Sequence, residues 1–413
     1  MRFENALAKK FICGKDGRLR PVAVLSIIGI ALGVMVILLS LFIVNGFKYE
    51  VEQKINGFLG TIRISNPDNN YNQYTIPLRV DTSAVKDIRD VATKLYPEAQ
   101  ISSFIDQMAV AKSDSNFTAL MMHGVESQSD FSFFRPYLII GRMPDLAQDE
   151  ELLLPKKVAQ KLGIGLEDSF LAYYLLDGRV KVRKYLVVGI IDTGFDAYDN
   201  RIAVTSVAHL QGVNNWRADE VGGLTVTINN RKEASRLYEA LFDVLARRNA
   251  EYSERYAMFT VEELNYNYFG WLDLLDANVL LIFILMVCVA IMTIVTGVVV
   301  LILEKVQAIA TLMSLGQRGS SIRKVFFLMA SKILGWGLLW GNTLALIVAW
   351  VQNRWHLITL DPSQYYMSYV PVSINLGTLL LTNLGVFVVV FLFTILPTSL
   401  ITTISPAKSL RFD

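Results

Sequence analysis

Two apolar runs, at residues 22–44 and 279–303, stand more than 200 residues apart, and no other feature limits so strongly what this 413-residue chain can fold into. Two further runs follow, at 325–351 and 376–396. A helix rises 1.5 Å per residue, so about 20 apolar residues cross a hydrocarbon core of roughly 30 Å. The stretch between the first two runs has the composition of an ordinary folded domain. The expected fold is therefore membrane α-helical, with four transmembrane helices and a large mixed α+β extracytoplasmic domain between helices 1 and 2. Charged residues make up only 18% of the chain, against about 25% in soluble proteins. The first run is too long for the roughly 7–15 apolar residues of a secretory signal. NGFKY at 45–49 also offers no small-residue cleavage site. A net charge of +2 speaks against a bulk nucleic-acid binder.

Lysine and arginine in short flanks set the orientation. Arg2, Lys9, Lys10, Lys15, Arg18 and Arg20 precede the first run, and Lys305, Arg318, Arg323 and Lys324 lie between the second and third. Lys408 and Arg411 end the chain, whereas the loop between the third and fourth runs has Arg354 alone. Both termini and the 304–323 segment are thus expected in the cytoplasm and the large domain outside. The expected divisions are a cytoplasmic interfacial helix and basic flank at 1–21, transmembrane helices at 22–45, 276–303, 325–351 and 374–398, and a two-lobed domain with helical stalks at 46–270. A cytoplasmic coupling segment at 304–323, an outer loop at 352–373 and a cytoplasmic tail at 399–413 complete the chain. Cys13 and Cys288 both fall outside the large domain, which must then fold without disulfides.

Local patterns refine this layout. Phe3, Leu7 and Phe11 form a helical stripe beside Lys9 and Lys10, which suits a helix lying on the membrane surface. Gly29 with Gly33, and Gly337 with Gly341, are small-residue pairs four apart that let helices approach closely. Phe47, Val51, Ile55 and Phe58, and again Leu264, Tyr268, Trp271 and Leu275, keep a near-four period that extends the flanking membrane helices outward as stalks. The domain shows strand patterns at 61–65, 117–125, 151–154, 169–176, 180–191 and 222–228, and helical ones at 84–95, 155–162 and 231–247. Asp177-Gly178 is a two-residue hairpin signal. After the second apolar run, Ile309, Leu312 and Leu315 make the apolar face of a short helix that Gly316 ends.

Catalytic patterns are missing. The chain has no GxxxxGK[ST] phosphate loop, no HExxH and no GxSxG, and His123, His209 and His356 are scattered. Asp149, Glu150 and Glu151, like Glu262 and Glu263, read as solvated surface. The apolar runs hold few ionisable groups, apart from Lys332 near the start of the third, which argues against an ion pathway. No catalytic residue, metal site or cofactor is expected in this chain.

Several segments in order carry a resemblance: SIIGIALGVM at 26–35, VNGF at 44–47, GR at 141–142, ELLLPKKVA at 151–159, and LG at 162–163. LEK at 303–305, AI at 308–309, LG at 315–316, YY at 365–366, VPV at 370–372 and SPAKSL at 405–410 complete it. Across nearly its whole length the chain resembles the lipoprotein-releasing ABC permeases, the LolC/LolE family, within the wider MacB/FtsX class. The resemblance implies an inner-membrane permease subunit that is not itself an enzyme. Its partners would be ABC ATPase subunits, which bind the ATP and Mg, and a second permease copy, identical or paired. It would extract lipoproteins from the outer leaflet for a periplasmic carrier. It also implies that Glu304, Lys305, Ala308, Ile309, Leu312, Leu315 and Gly316 receive the ATPase motion. Val44, Asn45, Phe47, Tyr268, Trp271 and Leu275 are the candidate lining for a substrate entering from lipid. Some members hook the carrier with an extended hairpin. The corresponding turn here, Leu176, Asp177, Gly178 and Arg179, is short, which leaves the docking to the other subunit or to a different contact. Two other classes stay open: an efflux permease for peptides, antibiotics or lipids, which commonly carries a fused ATPase, and a signalling permease that controls a cell-wall hydrolase, which usually has a smaller outer domain.

Overall fold

The computed structural model describes residues 2–12, 18–70, 75–114, 116–126, 132–145, 150–176, 178–228, 233–251, 255–365 and 367–399. In chain order the elements are α1 (Arg2–Ile12), α2 (Pro21–Leu59), β1 (Ile62–Ser65), β2 (Leu78–Arg79), α3 (Thr82–Leu95), β3 (Gln100–Ser113), β4 (Asn116–Val125), β5 (Leu138–Gly141) and β6 (Glu151–Pro155). Then come α4 (Lys156–Leu162), β7 (Ser169–Leu176), β8 (Arg179–Ile191), α5 (Asp196–Asp199), β9 (Ile202–Ser206), α6 (Val207–Asn214), β10 (Glu220–Val221), β11 (Gly223–Thr227) and α7 (Ala234–Glu251). The chain continues with β12 (Ala257–Thr260), α8 (Val261–Leu264), α9 (Tyr266–Glu304), α10 (Val306–Ser314), α11 (Gly319–Trp355), α12 (Pro362–Tyr365), α13 (Leu376–Phe393) and α14 (Ile395–Ser399). Two compact units result: residues 1–49, 270–358 and 370–413 form one, and residues 50–269 with 359–369 form the other.

The first unit is helical. Its α2, α9, α11 and α13 are long and apolar enough to cross a membrane. Their packing explains the glycines. A Cβ on Gly337 would stand 2.6 Å from Ile30 Cγ2, and one on Gly341 would stand 2.8 Å from both the Ala31 carbonyl oxygen and Val34 Cβ. Gly29 likewise meets Thr293, and Gly297 meets Ser26. The small-residue pairs therefore seat α2 between α9 and α11 within one chain. A polar clasp joins α11 to α13: Asn342 Nδ2 donates to Asn383 Oδ1 at 2.7 Å, and Asn383 Nδ2 returns the bond at 2.8 Å. The N-terminal stripe packs against protein. Leu7, Ala8, Phe11 and Ile12 pack into the same core as α11, with the Phe11 and Phe326 rings 5.9 Å apart. Lys332 Nζ donates to Asn5 Oδ1 at 2.5 Å, so the one lysine of the third apolar run is held by α1.

The second unit is built on a mixed sheet ordered β12-β1-β11-β3-β4-β9-β6-β8-β5, with β7 paired to both β3 and β8. Those last pairings close β3, β4, β9, β6, β8 and β7 into a ring, in which each strand has a partner on both sides over part of its length. Leu120, Met122, Phe170, Tyr174 and Tyr185 fill it, and α4 and α6 supply Val158, Leu162 and Leu210 to the same core. The phenol hydroxyls of Tyr174 and Tyr185 hydrogen-bond inside, and burial pushes both phenols well above the usual range. α4 follows Pro155 and ends at Gly163 in the left-handed region (φ 69°), where a residue with a Cβ is strained. A second core forms where β1 and β11 meet α3 and α7, with Leu237, Leu241 and Leu245 on the inner face of α7. The long strand β3 belongs to both: residues 100–104 pair with β11 and 110–112 with β7.

Candidate functional site

The cytoplasmic segment foreseen between the second and third apolar runs is a short helix set off by two breaks. α9 ends at Glu304, Lys305 leaves helical geometry, and α10 runs to Ser314. Gly316 takes a positive φ of 90°, which lets Gln317 N–H reach back to the Leu312 carbonyl at 3.0 Å. The expected apolar face is divided. Ile309 is 0% exposed and belongs to the helical core, Leu312 is half-buried against it, and Leu315 is 80% exposed. Ile309 is therefore unavailable to a partner, and Ala308 is half-buried. The open side of α10 carries Gln307, Thr311 and Ser314, followed by Leu315 and Gly316. The charged pair before α10 is also engaged: Glu304 pairs with Arg20, and Lys305 Nζ lies 5.7 Å from the Phe11 ring centroid.

Of the candidate lining residues, the structure brings Phe47 and Trp271 together as an edge-to-face pair with centroids 5.3 Å apart. Phe47 is buried, so this ring contact clasps α2 to α9 and does not offer an open surface. Lys48 pairs with Asp276 one turn further on. Val44, Asn45 and Leu275 remain half-exposed in the same unit. Tyr268 belongs to the other unit, where its ring lies 5.6 Å from Phe195.

The hairpin forms as foreseen by its turn residues. Leu176 pairs with Arg179, and Gly178 has φ +72°; Asp177 lies outside the described residues. Sequence reasoning missed the surface to which this hairpin belongs. In antiparallel pairs, directly opposed residues share a face. Phe117, Lys112 and Leu171 form one row, Val110, Tyr173 and Val182 the next, and Leu175 faces Val180 beyond. Phe117 is 77% and Val180 63% exposed, and Met108, Val110, Leu171, Leu175 and Val182 are exposed as well. The visible signal was the apolar character of both alternating sets in β3 and β7.

Charged groups elsewhere hold the scaffold together. Asp106 on β3 accepts from Arg63 of β1 at 2.6 Å and meets His123 Nδ1 of β4 at 2.6 Å. Burial opposes its charge, yet Arg63 and His123 together hold its carboxyl well below the usual carboxylate range. Glu151, expected on a solvated surface, is buried: Arg142 grips it with both terminal nitrogens and Asp145 N–H adds a 2.8 Å bond. That grip holds the Glu151 carboxyl below its ordinary value. Gly141 (φ 90°) precedes the arginine because any Cβ there would strike the Val188 carbonyl oxygen at 2.3 Å. Lys54 on α2 is buried beside Glu50, Asp192 and Asp199, and burial pushes Asp199 up to about 6. Gly194 in the same cluster abuts Met367 and Ser368, which places the loop between α11 and α13 against it. Among the described residues, no group of His, Cys, Asp and Glu is arranged to hold a metal ion.

Among the described residues, four helices are long and apolar enough to cross a membrane, and a large α/β unit is inserted after the first. A family model described as the MacB-like periplasmic core domain matches residues 23–241, and one described as the FtsX-like permease C-terminal region matches residues 278–406. The chain belongs to this MacB/FtsX class of ABC transporter permeases. It is similar to the lipoprotein-releasing system transmembrane protein LolC of Xylella fastidiosa strain 9a5c, at 22% identity over 97% of this chain and 96% of that one. The LolC protein of Neisseria meningitidis serogroup B is 23% identical over the same shares. Among solved structures, the extracellular domain of the noncanonical ABC-type transporter YknZ from Gram-positive bacteria aligns with 49% of this chain and 99% of its own, at 14% identity and a TM-score of 0.33.

Proposed function

We propose that this chain is the permease subunit of an inner-membrane transporter that extracts lipoproteins from the outer leaflet and hands them to a periplasmic carrier. The observation that carries this reading is the alignment with LolC proteins across 97% of the chain, through both the inserted domain and the helices that follow it. In this reading the chain crosses the membrane at 22–45, 276–303, 325–351 and 374–398, with 1–21, 304–323 and 399–413 in the cytoplasm and 46–270 and 352–373 outside. The lysine and arginine bias of the short flanks supports that orientation. ATP and Mg are bound by partner ATPase subunits, and a second permease copy completes the assembly.

This chain contributes force transfer and surfaces, not bond chemistry. The ATPase docks on the open side of α10, at Gln307, Thr311, Ser314 and Leu315, while buried Ile309 fastens the helix to the membrane core. A displacement received there reaches α9 through the turn at Lys305, which the cation–ring contact with Phe11 steadies. On the outer side, Val44, Asn45 and Leu275 are the surface offered to an acyl chain, and the Phe47–Trp271 clasp keeps α2 and α9 in register beside it. An acyl chain gains about 0.8 kcal/mol per methylene buried in lipid, so extraction needs a comparably apolar path and an energy source. The carrier engages the largely apolar face of β3, β4, β7 and β8, where exposed Val110, Leu171, Leu175, Val180 and Val182 surround Lys112, because an exposed patch of this kind marks an interaction site.

Depletion of the protein, followed by separation of inner and outer membranes, tests the reading. Outer-membrane lipoproteins held back in the inner membrane support it. Normal sorting refutes it and brings forward efflux or control of a cell-wall hydrolase.

A further inference from the structure

Beside the contact between α2 and α11 lies a groove of about 400 Å³, within the helical unit. Val24, Ile27, Ile28 and Leu32 form one wall, and Trp336 and Trp340, one turn apart, form the other. No charged or amide side chain lines it. It opens at Leu19, next to Arg18. Arg18 is exposed and has no ion pair among the described residues, whereas Arg20 two residues on is taken by Glu304.

We propose that this groove binds one acyl chain of an anionic phospholipid, with the lipid phosphate at Arg18. The inference rests on the membrane reading above. Inside a bilayer an apolar groove is filled either by a lipid tail or by another helix. Helices associate in lipid through small residues that let backbones approach. Here the glycines of α2 and α11 that make such approaches are already used within the chain, at Ile30, Val34 and Thr293. The groove is lined by isoleucine, leucine, valine and tryptophan with one small residue, Ala31, an apolar surface well suited to a flexible chain. Length agrees too. The 11 steps from Pro21 to Leu32 rise about 16 Å along α2, enough for one leaflet of a core roughly 30 Å thick. Hence the tail lies in the leaflet on the amino-terminal side of α2, and the Arg18 guanidinium stands where that leaflet's phosphates lie. A zwitterionic head group would offer the same phosphate but no net charge, so the site favours an anionic lipid.

The test is native mass spectrometry of the full-length chain, purified in detergent and exposed to palmitoyl-oleoyl phosphatidylglycerol or phosphatidylcholine. The wild type should retain one phosphatidylglycerol and hold phosphatidylcholine about fivefold more weakly, the difference one cation near an anionic surface confers. Arg18→Ala should bring phosphatidylglycerol down to the phosphatidylcholine level. Ile28→Trp, which fills the groove from an exposed position, should remove both lipids, and Leu32→Trp should repeat the result if the first variant elutes as an aggregate. Equal retention of the two lipids by the wild type, or full retention by both tryptophan variants, overturns the proposal. So does loss of a dimer mass in those variants, which would make the groove a helix-docking face. Carbonate extraction of membranes separates the readings. Release of the wild-type chain refutes the membrane assignment itself, whereas retention without lipid preference refutes the lipid site alone.

Discussion

Ile309 and Leu315 sit six residues apart on one short segment, and substituting each should have opposite consequences. Ile309 is fully buried in the helical core. Ile309→Ala removes three carbons. At about 0.8 kcal/mol per methylene the transfer loss is roughly 2.5 kcal/mol, and the cavity left behind raises the total to about 3–4 kcal/mol. That loss falls on a helix of only 9 residues, which depends on its packing to exist. The melting temperature in detergent should drop by several degrees, and release should fall with the amount of folded protein. Leu315 is 80% exposed, so Leu315→Asp should change stability by no more than about 0.5 kcal/mol. It places a charge in the ATPase-docking surface, so ATP-dependent lipoprotein release by the reconstituted complex should fall about tenfold, the equivalent of about 1.4 kcal/mol of lost coupling. Both variants are compared by melting curves and by lipoprotein released into the soluble fraction per ATP hydrolysed. An unchanged melting temperature for Ile309→Ala would show that α10 is not anchored through this side chain. Wild-type release by Leu315→Asp would show that the ATPase does not use this side of the helix.

Other consequences follow from the same packing. Gly341→Val drives a side chain into the Ala31 carbonyl and Val34, and should lower stability by about 1–3 kcal/mol. Gly335→Ala, with nothing within 4 Å, should leave the melting curve in place, and equal effects would contradict the packing. Asn383→Leu breaks both bonds of the α11–α13 clasp and should cost about 1–2 kcal/mol, read as an earlier melting midpoint in detergent. Arg63→Met leaves Asp106 buried with His123 as its remaining partner and should destabilise by about 3 kcal/mol or more. Because the native Asp106 carboxyl is held below its ordinary range, its contribution is complete above about pH 4 and is lost as the pH falls toward the depressed native value. Asp106→Asn should therefore flatten the acid side of the stability profile, and an unchanged acid slope would refute the assignment.

The four long apolar helices were legible from residue order alone. Apolar runs of bilayer length and the bias of basic residues depend on local composition, and both can be read without knowing any contact. Turn chemistry was equally local: Gly163, Gly178 and Gly316 all adopt the left-handed geometry their positions called for. The glycine pairs were read correctly as packing sites, but their partners were not visible, because a small residue shows where a helix can approach and not which helix does. The candidate site was legible only as a segment. Period marked α10 as amphipathic, yet it could not say that Ile309 would turn into a core assembled from α1, α2, α9 and α11 while Leu315 stayed outside. Glu151 looked like surface because its partner, Arg142, joins it only when β5 and β6 flank β8. The closed ring of six strands, and the apolar face outside it, depended on β7 pairing with β3 more than 50 residues away. Sequence alone determined the features that arise from near neighbours: helix length, turns and which stretches prefer lipid. Tertiary structure decided which side of each element meets water, because burial is set by partners that are distant in the chain.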